Sequence, residues 1–256
     1  MFFLILRMWI VAVALGVAQQ VLAAAPVQTW TQQVAGNEYL IVRADLHGAD
    51  VTLHWLRPDG TPWGDVAPLL ADLGRNGRTA WMVSNAGMYG MDARPVGVHV
   101  ENRKILHAFA PPRPGSGNFS WLPNGVLVIG NGRAAVVESS RYPAVATTAR
   151  YASQSGPLLV HNGNLHPGFV PSSQHRNVRN GVGVDKTGRV VFAISQGPVT
   201  FYDFAQLFRK TLHCSNALYL DGSISAMATP EQTVRGPHPA ALVGLWAVTT
   251  PRTRAK

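Results

Sequence analysis

Of the 13 acidic side chains in this 256-residue sequence, few stand where a carboxylate could do chemistry. Asp59, Glu101 and Asp185 fall in turn segments, Asp203 at a helix cap, and Asp65 and Asp72 on an exposed helix face. Glu38, Asp45 and Asp50 flank early strands in polar settings. That leaves Asp92, Glu138, Asp221 and Glu231 near strand ends or Gly-containing loops. Asp221 is the best placed. It follows the apolar run Asn216-Ala217-Leu218-Tyr219-Leu220 and opens Asp221-Gly222-Ser223-Ile224-Ser225. Desolvation at the end of a buried strand raises a carboxyl pKa towards a useful acid/base range, and a glycine turn exposes backbone N–H groups. The same residues also read as a plain Asp-Gly turn.

A second candidate is basic. Arg176 and Arg179 stand in Gln174-His175-Arg176-Asn177-Val178-Arg179-Asn180, just ahead of Gly181-Val182-Gly183-Val184. An arginine at the mouth of a strand can grip a phosphate through paired N–H donors; equally, surface arginines are common. Ser153-Gln154-Ser155-Gly156-Pro157 precedes another apolar run, where Gly156 either admits a ligand closely or simply makes the turn. The lone Cys214 reads as a small buried hydrophobe. A thiol nucleophile would need an oriented histidine, and neighbouring His213 has no reason to point the right way. There is no Gly-x-Ser-x-Gly elbow, Walker loop, dinucleotide fingerprint or paired-His zinc motif. The nine histidines are scattered, so no cofactor is expected, although a divalent metal such as calcium, held by Asp and backbone carbonyl oxygens, stays open.

The elements that must position these residues are mostly strands. Tyr39–Ala44 and Val51–Leu56 are strand-like, and Trp81–Ser84 is a short buried run leading into Asn85-Ala86-Gly87-Met88. Asp65–Leu73 carries apolar residues at helical spacing, with Gly74 as its stop. A meander follows: Val96–Val100 and Lys104–Phe109, then Gly125–Ile129 and Ala134–Glu138 around Asn131-Gly132, then Pro157–Val160 before Asn162-Gly163. Val182–Val184 and Arg189–Ile194 flank a further turn. Thr200 to Asp203 reads as a helix cap with a helix over Phe204–Phe208, and Leu242–Val248 is the last strand. Two long polar stretches, 110–120 and 165–180, are candidate site loops. The pattern is that of one α+β domain, strand-rich with a few packed helices.

Composition narrows the class. With 46% hydrophobic and 14% charged residues the chain can bury a large core. Arg7, the apolar run Met8–Val17 and Val21-Leu22-Ala23 read as a signal peptide over 1–23, with the domain at 24–256 and its core at about 39–248. An uncleaved anchor is the alternative, and no later segment reaches membrane length. An exported chain without a disulfide suits a bacterial periplasm or secretion. The formal charge of +9 favours anionic partners, while no Lys/Arg run or motif supports specific nucleic-acid binding.

Five motifs in register resemble the phosphodiester glycosidase domain family: Asn85-Ala86-Gly87-Met88, Pro95-Val96-Gly97, Gln154-Ser155-Gly156-Pro157-Leu158-Leu159-Val160, Arg179 with Gly181-Val182-Gly183-Val184, and Asn216 to Gly222. The resemblance runs from about Tyr39 to Val248. It implies a mixed α/β domain that cleaves a sugar from a sugar-1-phosphodiester, the substrate here being an anionic envelope glycan. On that reading Asp221 is the acid/base or nucleophilic carboxylate and Arg179 holds the phosphate, and if a partner acid exists, Asp92, close behind the Asn85 loop, is the first choice. Asn85 and Ser155 hydrogen-bond sugar or phosphate, Gly87, Gly156 and Gly222 allow close approach, and Ser223 and Ser225 stand at the rim. Ala86 and Ser223 depart from the Gly-Gly pairs that the family often shows at these places, which bears on the substrate. The competing reading is a glycan-binding envelope protein that does not cleave, using loop aromatics Phe119, Trp121 and Phe169. A Cys214 thiol enzyme comes third.

Overall fold

The computed structural model describes residues 25–115, 117–238 and 241–252. The expected leader at 1–23 therefore lies outside the described residues, as does the side chain of Ser223. In chain order the elements are β1 (Val27–Val34), β2 (Asn37–Ala44), β3 (Asp50–His54), α1 (Val66–Arg75), β4 (Arg78–Asn85), β5 (His99–Glu101), β6 (Lys104–His107), β7 (Gly125–Gly130), β8 (Arg133–Glu138) and β9 (Tyr151–Ser155). Then come β10 (Leu158–His161), β11 (Asn164–Leu165), β12 (Asn180–Asp185), β13 (Val190–Ser195), α2 (Phe201–Gln206), β14 (Cys214–Tyr219), β15 (Ala226–Ala228), β16 (Thr233–Arg235) and β17 (Leu245–Pro251). Strand makes up 44% and helix 16%, so the structure is strand-rich with few helices, as expected, and mostly β where α+β was expected.

Three sheets carry the described residues. A seven-stranded sheet runs β1-β2-β13-β12-β14-β10-β11, and two five-stranded sheets run β16-β15-β4-β17-β3 and β6-β5-β9-β7-β8. Their pairings are antiparallel, as suits strands joined by short hairpins. Asn131-Gly132 and Asn162-Gly163 make the tight turns of β7–β8 and β10–β11, all four residues at positive φ.

The large sheet is buried on both faces. Leu40, Val42, Phe192, Val182 and Leu218 face a central core shared with Met82, Leu127 and Trp246 of the other two sheets. Tyr39, Ile41, Val191, Ala217 and Tyr219 face the opposite way, against Phe204 and Phe208. This explains the continuous apolar runs of β2 and β13, since a strand covered on both faces has no polar side to show. Gly181 and Gly183 are small for the same reason. A Cβ at Gly181 would stand 3.1 Å from the Phe204 ring, and one at Gly183 would stand 2.7 Å from Cys214 Sγ. The Gly-Val-Gly-Val alternation therefore seats the helical segment on one face while Val182 fills the core on the other.

Both helices begin where their caps direct. The Asp65 carboxylate accepts from Val66 N–H at the start of α1, which runs through Gly74 to Arg75. The Thr200 hydroxyl accepts from Asp203 N–H at 3.0 Å and starts α2 at Phe201. Among the described residues no helix is long and apolar enough to cross a membrane.

Candidate functional site

The site forms where three strand ends meet. Gly181 of β12 lies opposite Tyr219 of β14, so the residue entering β12, Arg179, lies beside the residues leaving β14. The end of β4 joins them through Asn85. Its Nδ2 donates to Asp221 O at 2.8 Å, and its Oδ1 accepts from Asn180 Nδ2 at 2.7 Å and from Ala226 N–H at 2.8 Å. The Ser225 hydroxyl donates to Asn180 Oδ1 at 3.1 Å. Asp221 N–H donates to Ala86 O at 3.3 Å. The backbone of Asp221 is thereby fixed on both sides by residues of the β4 end.

Arg179 is 2% exposed. Nε donates to Val199 O at 2.9 Å, Nη1 to Tyr219 Oη at 3.2 Å and Nη2 to His175 O at 3.1 Å. The guanidinium carbon lies 3.6 Å from the Phe201 ring centre. These partners are two carbonyls, a phenol and a ring face, none of them charged. Burial lowers the Arg179 pKa and the Tyr219 contact pulls it back, but an arginine stays protonated at any working pH. Among the described residues three of its roughly five N–H donors are engaged, leaving one on each terminal nitrogen.

That buried positive charge lies in the wall of a cavity of about 330 Å³. Aromatic rings make much of the rest. Phe169 and Phe201 stack at 4.9 Å, Trp121 meets both edge-on, and Phe201 meets Tyr219 edge-on at 4.6 Å. His175, Asn177 and His238 reach the rim, and among the described residues no carboxylate lines the cavity. A lining of one fixed cation, neutral donors and ring faces suits an anion with a sugar-like or other C–H-rich group attached. Tyr219 is held neutral: burial pushes its pKa up to about 12, with Arg179 lowering it and the nearby charge of Asp221 raising it.

The expected site residues separate into three groups. Arg179 and Gly222 line the cavity together with Tyr219. A Cβ on Gly222 would overlap the Tyr219 hydroxyl, so the glycine is required there. Asp221, partly exposed, lies between Tyr219 and Gly222 in sequence, near enough for its charge to raise the Tyr219 pKa, and does not itself line the cavity. The second group is scaffold. Asn85 and Ser225 spend their polar atoms on the network just described. Gly87 is pressed against Ser153 and Gln154, and its N–H donates to Ser153 Oγ at 3.2 Å. Gly156 lies behind the cavity wall, where a Cβ would stand 2.7 Å from the Asn124 side chain. Ser155 is fully buried, its hydroxyl without a hydrogen-bond partner among the described residues. The third group is Asp92 alone. It is exposed, accepts from Arg94 N–H at 3.1 Å and is not brought to the cavity.

Most of the other lining residues were not expected from sequence, among them Tyr219, Phe201 and His175. Tyr219 reads there as an ordinary strand residue, Phe201 as part of a helix cap, and His175 as part of a polar loop. Of the loop aromatics, Trp121 and Phe169 line the cavity and Phe119 does not. Cys214 is 2% exposed, and burial pushes its thiol up to about 12, which removes it as a nucleophile near neutral pH. Among the described residues no group of three or more His, Cys, Asp or Glu side chains could hold a metal ion.

Comparison with known proteins bears on this arrangement. The family model for phosphodiester glycosidase matches residues 78–249, a span from the first residue of β4 into β17 that contains every site residue discussed. The uncharacterised Escherichia coli (strain K12) protein YigE is 35% identical over 179 residues, 69% of this chain and 68% of that protein. Among solved structures, the zebrafish N-acetylglucosamine-1-phosphodiester α-N-acetylglucosaminidase catalytic domain, auto-inhibited by its pro-peptide, superposes with a TM-score of 0.56 at 12% identity, covering 89% of this chain and 82% of that one. A hypothetical protein from Synechocystis superposes with a TM-score of 0.57 at 17% identity, covering 88% of this chain. This chain spans 62% of the length of the Synechocystis protein.

Proposed function

The chain belongs to the phosphodiester glycosidase family, and from that premise we propose that it hydrolyses the glycosyl bond of a sugar-1-phosphodiester at the cavity beside Arg179. The observation that carries the reading is the guanidinium itself. A cation 2% exposed, hydrogen-bonded to neutral acceptors and with N–H groups to spare, is costly to keep unless an anion completes it. On this reading a non-bridging phosphate oxygen takes the remaining donors, and ring faces of the cavity receive the sugar or the group across the phosphate.

The chemistry asks little of an acid. The bond from the anomeric carbon to the phosphate oxygen breaks, its electron pair leaves on the phosphate, and Arg179 offsets the developing charge. The leaving group is already weakly basic, so one carboxylate can suffice where ordinary glycosidases use two. Asp221 takes that part, either removing the proton of a water whose oxygen bonds the anomeric carbon, or attacking that carbon itself to form a glycosyl ester that water then hydrolyses, the water's proton passing to the released phosphate. Inversion or retention at that carbon, read by proton NMR of the released sugar, separates the two routes. The basic chain and the leader expected at 1–23 extend the proposal to anionic envelope glycans as substrates.

The walls of Trp121, Phe169 and Phe201 favour one second reading, a glycan-binding protein that does not cleave. Release of free sugar from a panel of hexose-1-phosphodiesters, beside binding of the same compounds, decides between them.

A further inference from the structure

Beyond the arginine, the cavity holds a second donor that the proposed reaction has not used; the point rests on reading the cavity as an anion site. Tyr219 ends β14 with 1% of its surface exposed, in the cavity wall. Its oxygen accepts from Arg179 Nη1 at 3.2 Å, and among the described residues no acceptor takes up the phenolic proton. The hydroxyl occupies the place that a Cβ of Gly222 would need. Phe201 meets the Tyr219 ring edge-on at 4.6 Å while stacking on the guanidinium. Phenol and guanidinium are therefore set by the same neighbours and face the same space.

We propose that Tyr219 contacts the substrate, its O–H donating to a phosphate oxygen beside the guanidinium of Arg179. The phosphodiester monoanion is then read by convergent donors from two side chains, the spare N–H groups of Arg179 and one O–H. The phenol keeps its proton throughout. As the anomeric C–O bond breaks and the electron pair passes to the phosphate, the O–H···O bond strengthens, with no proton transferred. Burial, which holds the phenol neutral, keeps this donor present at working pH.

The test titrates dimethyl phosphate, followed by phosphorus NMR, into the full chain and into Tyr219→Phe and Gly222→Ala. The first substitution deletes the hydroxyl and keeps the ring; the second displaces the hydroxyl if Tyr219→Phe does not fold. A hydrogen bond to an anion corresponds to roughly tenfold or more in affinity, so both variants should bind at least about tenfold more weakly. Direct contact should also bring a downfield phenolic proton resonance on adding dimethyl phosphate, absent from Tyr219→Phe. A purely structural role would lower the unfolding midpoint and leave affinity and that resonance unmoved. Unchanged affinity in folded Tyr219→Phe, or no binding by the parent chain, overturns the inference. Binding that depends on Tyr219 in a chain that cleaves no sugar-1-phosphodiester sinks the glycosidase reading and leaves the Tyr219 contact standing.

Discussion

The guanidinium of Arg179 lies over the ring of Phe201, its carbon 3.6 Å from the ring centre. The contact joins the residue that enters β12 to the first residue of α2. It holds the cation without neutralising it, because a ring face attracts positive charge through its quadrupole and brings no counter-charge. The orientation of Arg179 is further set by Val199 O and His175 O.

Arg179→Lys should therefore fail although it keeps the charge. An ammonium can neither stack on Phe201 nor reach three acceptors in one plane. We expect kcat/KM for a sugar-1-phosphodiester to fall roughly a hundredfold, about 3 kcal/mol of transition-state stabilisation. Steady-state kinetics check this, and a lysine variant within a few-fold of the parent would show that only net charge matters.

Asn85 gives a different expectation. Its amide ties β4 to Asp221, Asn180 and Ala226 inside the protein. Asn85→Ala leaves buried partners unsatisfied and should cost roughly 2–4 kcal/mol of stability. Urea unfolding measures it. Loss of activity at unchanged stability would instead make Asn85 a substrate ligand.

These two residues show what could be read in the sequence. Arg179 was legible because an arginine separated by one residue from Gly-Val-Gly-Val stands where a strand begins. Asn85 was legible as important but not as scaffold, since its partner Asn180 is brought to it only by the fold. Tyr219 was hidden because its chemistry depends on which face of β14 it occupies, and both faces are apolar. Strand β9 was missed for the opposite reason. Ser153, Gln154 and Ser155 look like a polar loop, yet all are buried, and Gln154 Nε2 donates to Ala110 O at 2.8 Å. Strand β1, an edge with alternate residues exposed, shows too little apolar pattern to stand out. The tight turns and the Thr200 cap, which depend on local chemistry alone, were the most readable parts of the fold, whereas Asp65, the other cap, reads as part of an exposed helix face and Gly74 as a stop that α1 runs past.

Stability should fall with mild acid. His166, packed edge-on against Trp121, is 3% exposed. Its Nε2 contacts Leu122 O at 2.8 Å while Nδ1 accepts from Gly168 N–H at 3.1 Å. Burial lowers its pKa, opposed in part by the Leu122 bond, and burial lowers that of His54 as well. The unfolded chain takes up these protons near pH 6.5, about the ordinary histidine value, and the folded chain only at lower pH. Between the two the unfolded state binds more protons, so stability is full above about 6.5 and declines as pH falls through the window. Urea midpoints taken from about pH 8 to about pH 5 should show the decline, and His166→Gln should reduce it. A flat profile would contradict the assignment of a neutral His166.

Asp92 should be dispensable for turnover. It is exposed and bound to Arg94 in its own loop. Asp92→Asn is expected to leave kcat/KM within about twofold, as surface substitutions away from a site usually do. A loss of a hundredfold or so would mean that this loop closes over bound substrate.

The most direct measurement is sugar release from a sugar-1-phosphodiester by the purified chain, beside Asp221→Asn and Arg179→Ala. Turnover by the parent chain is expected, reduced roughly a hundredfold or more in each variant while both remain folded. Failure of the parent chain to release sugar, with binding of the same compound intact in all three proteins, would contradict a glycosidase at this cavity. Undiminished turnover in Asp221→Asn would remove the carboxylate from the mechanism.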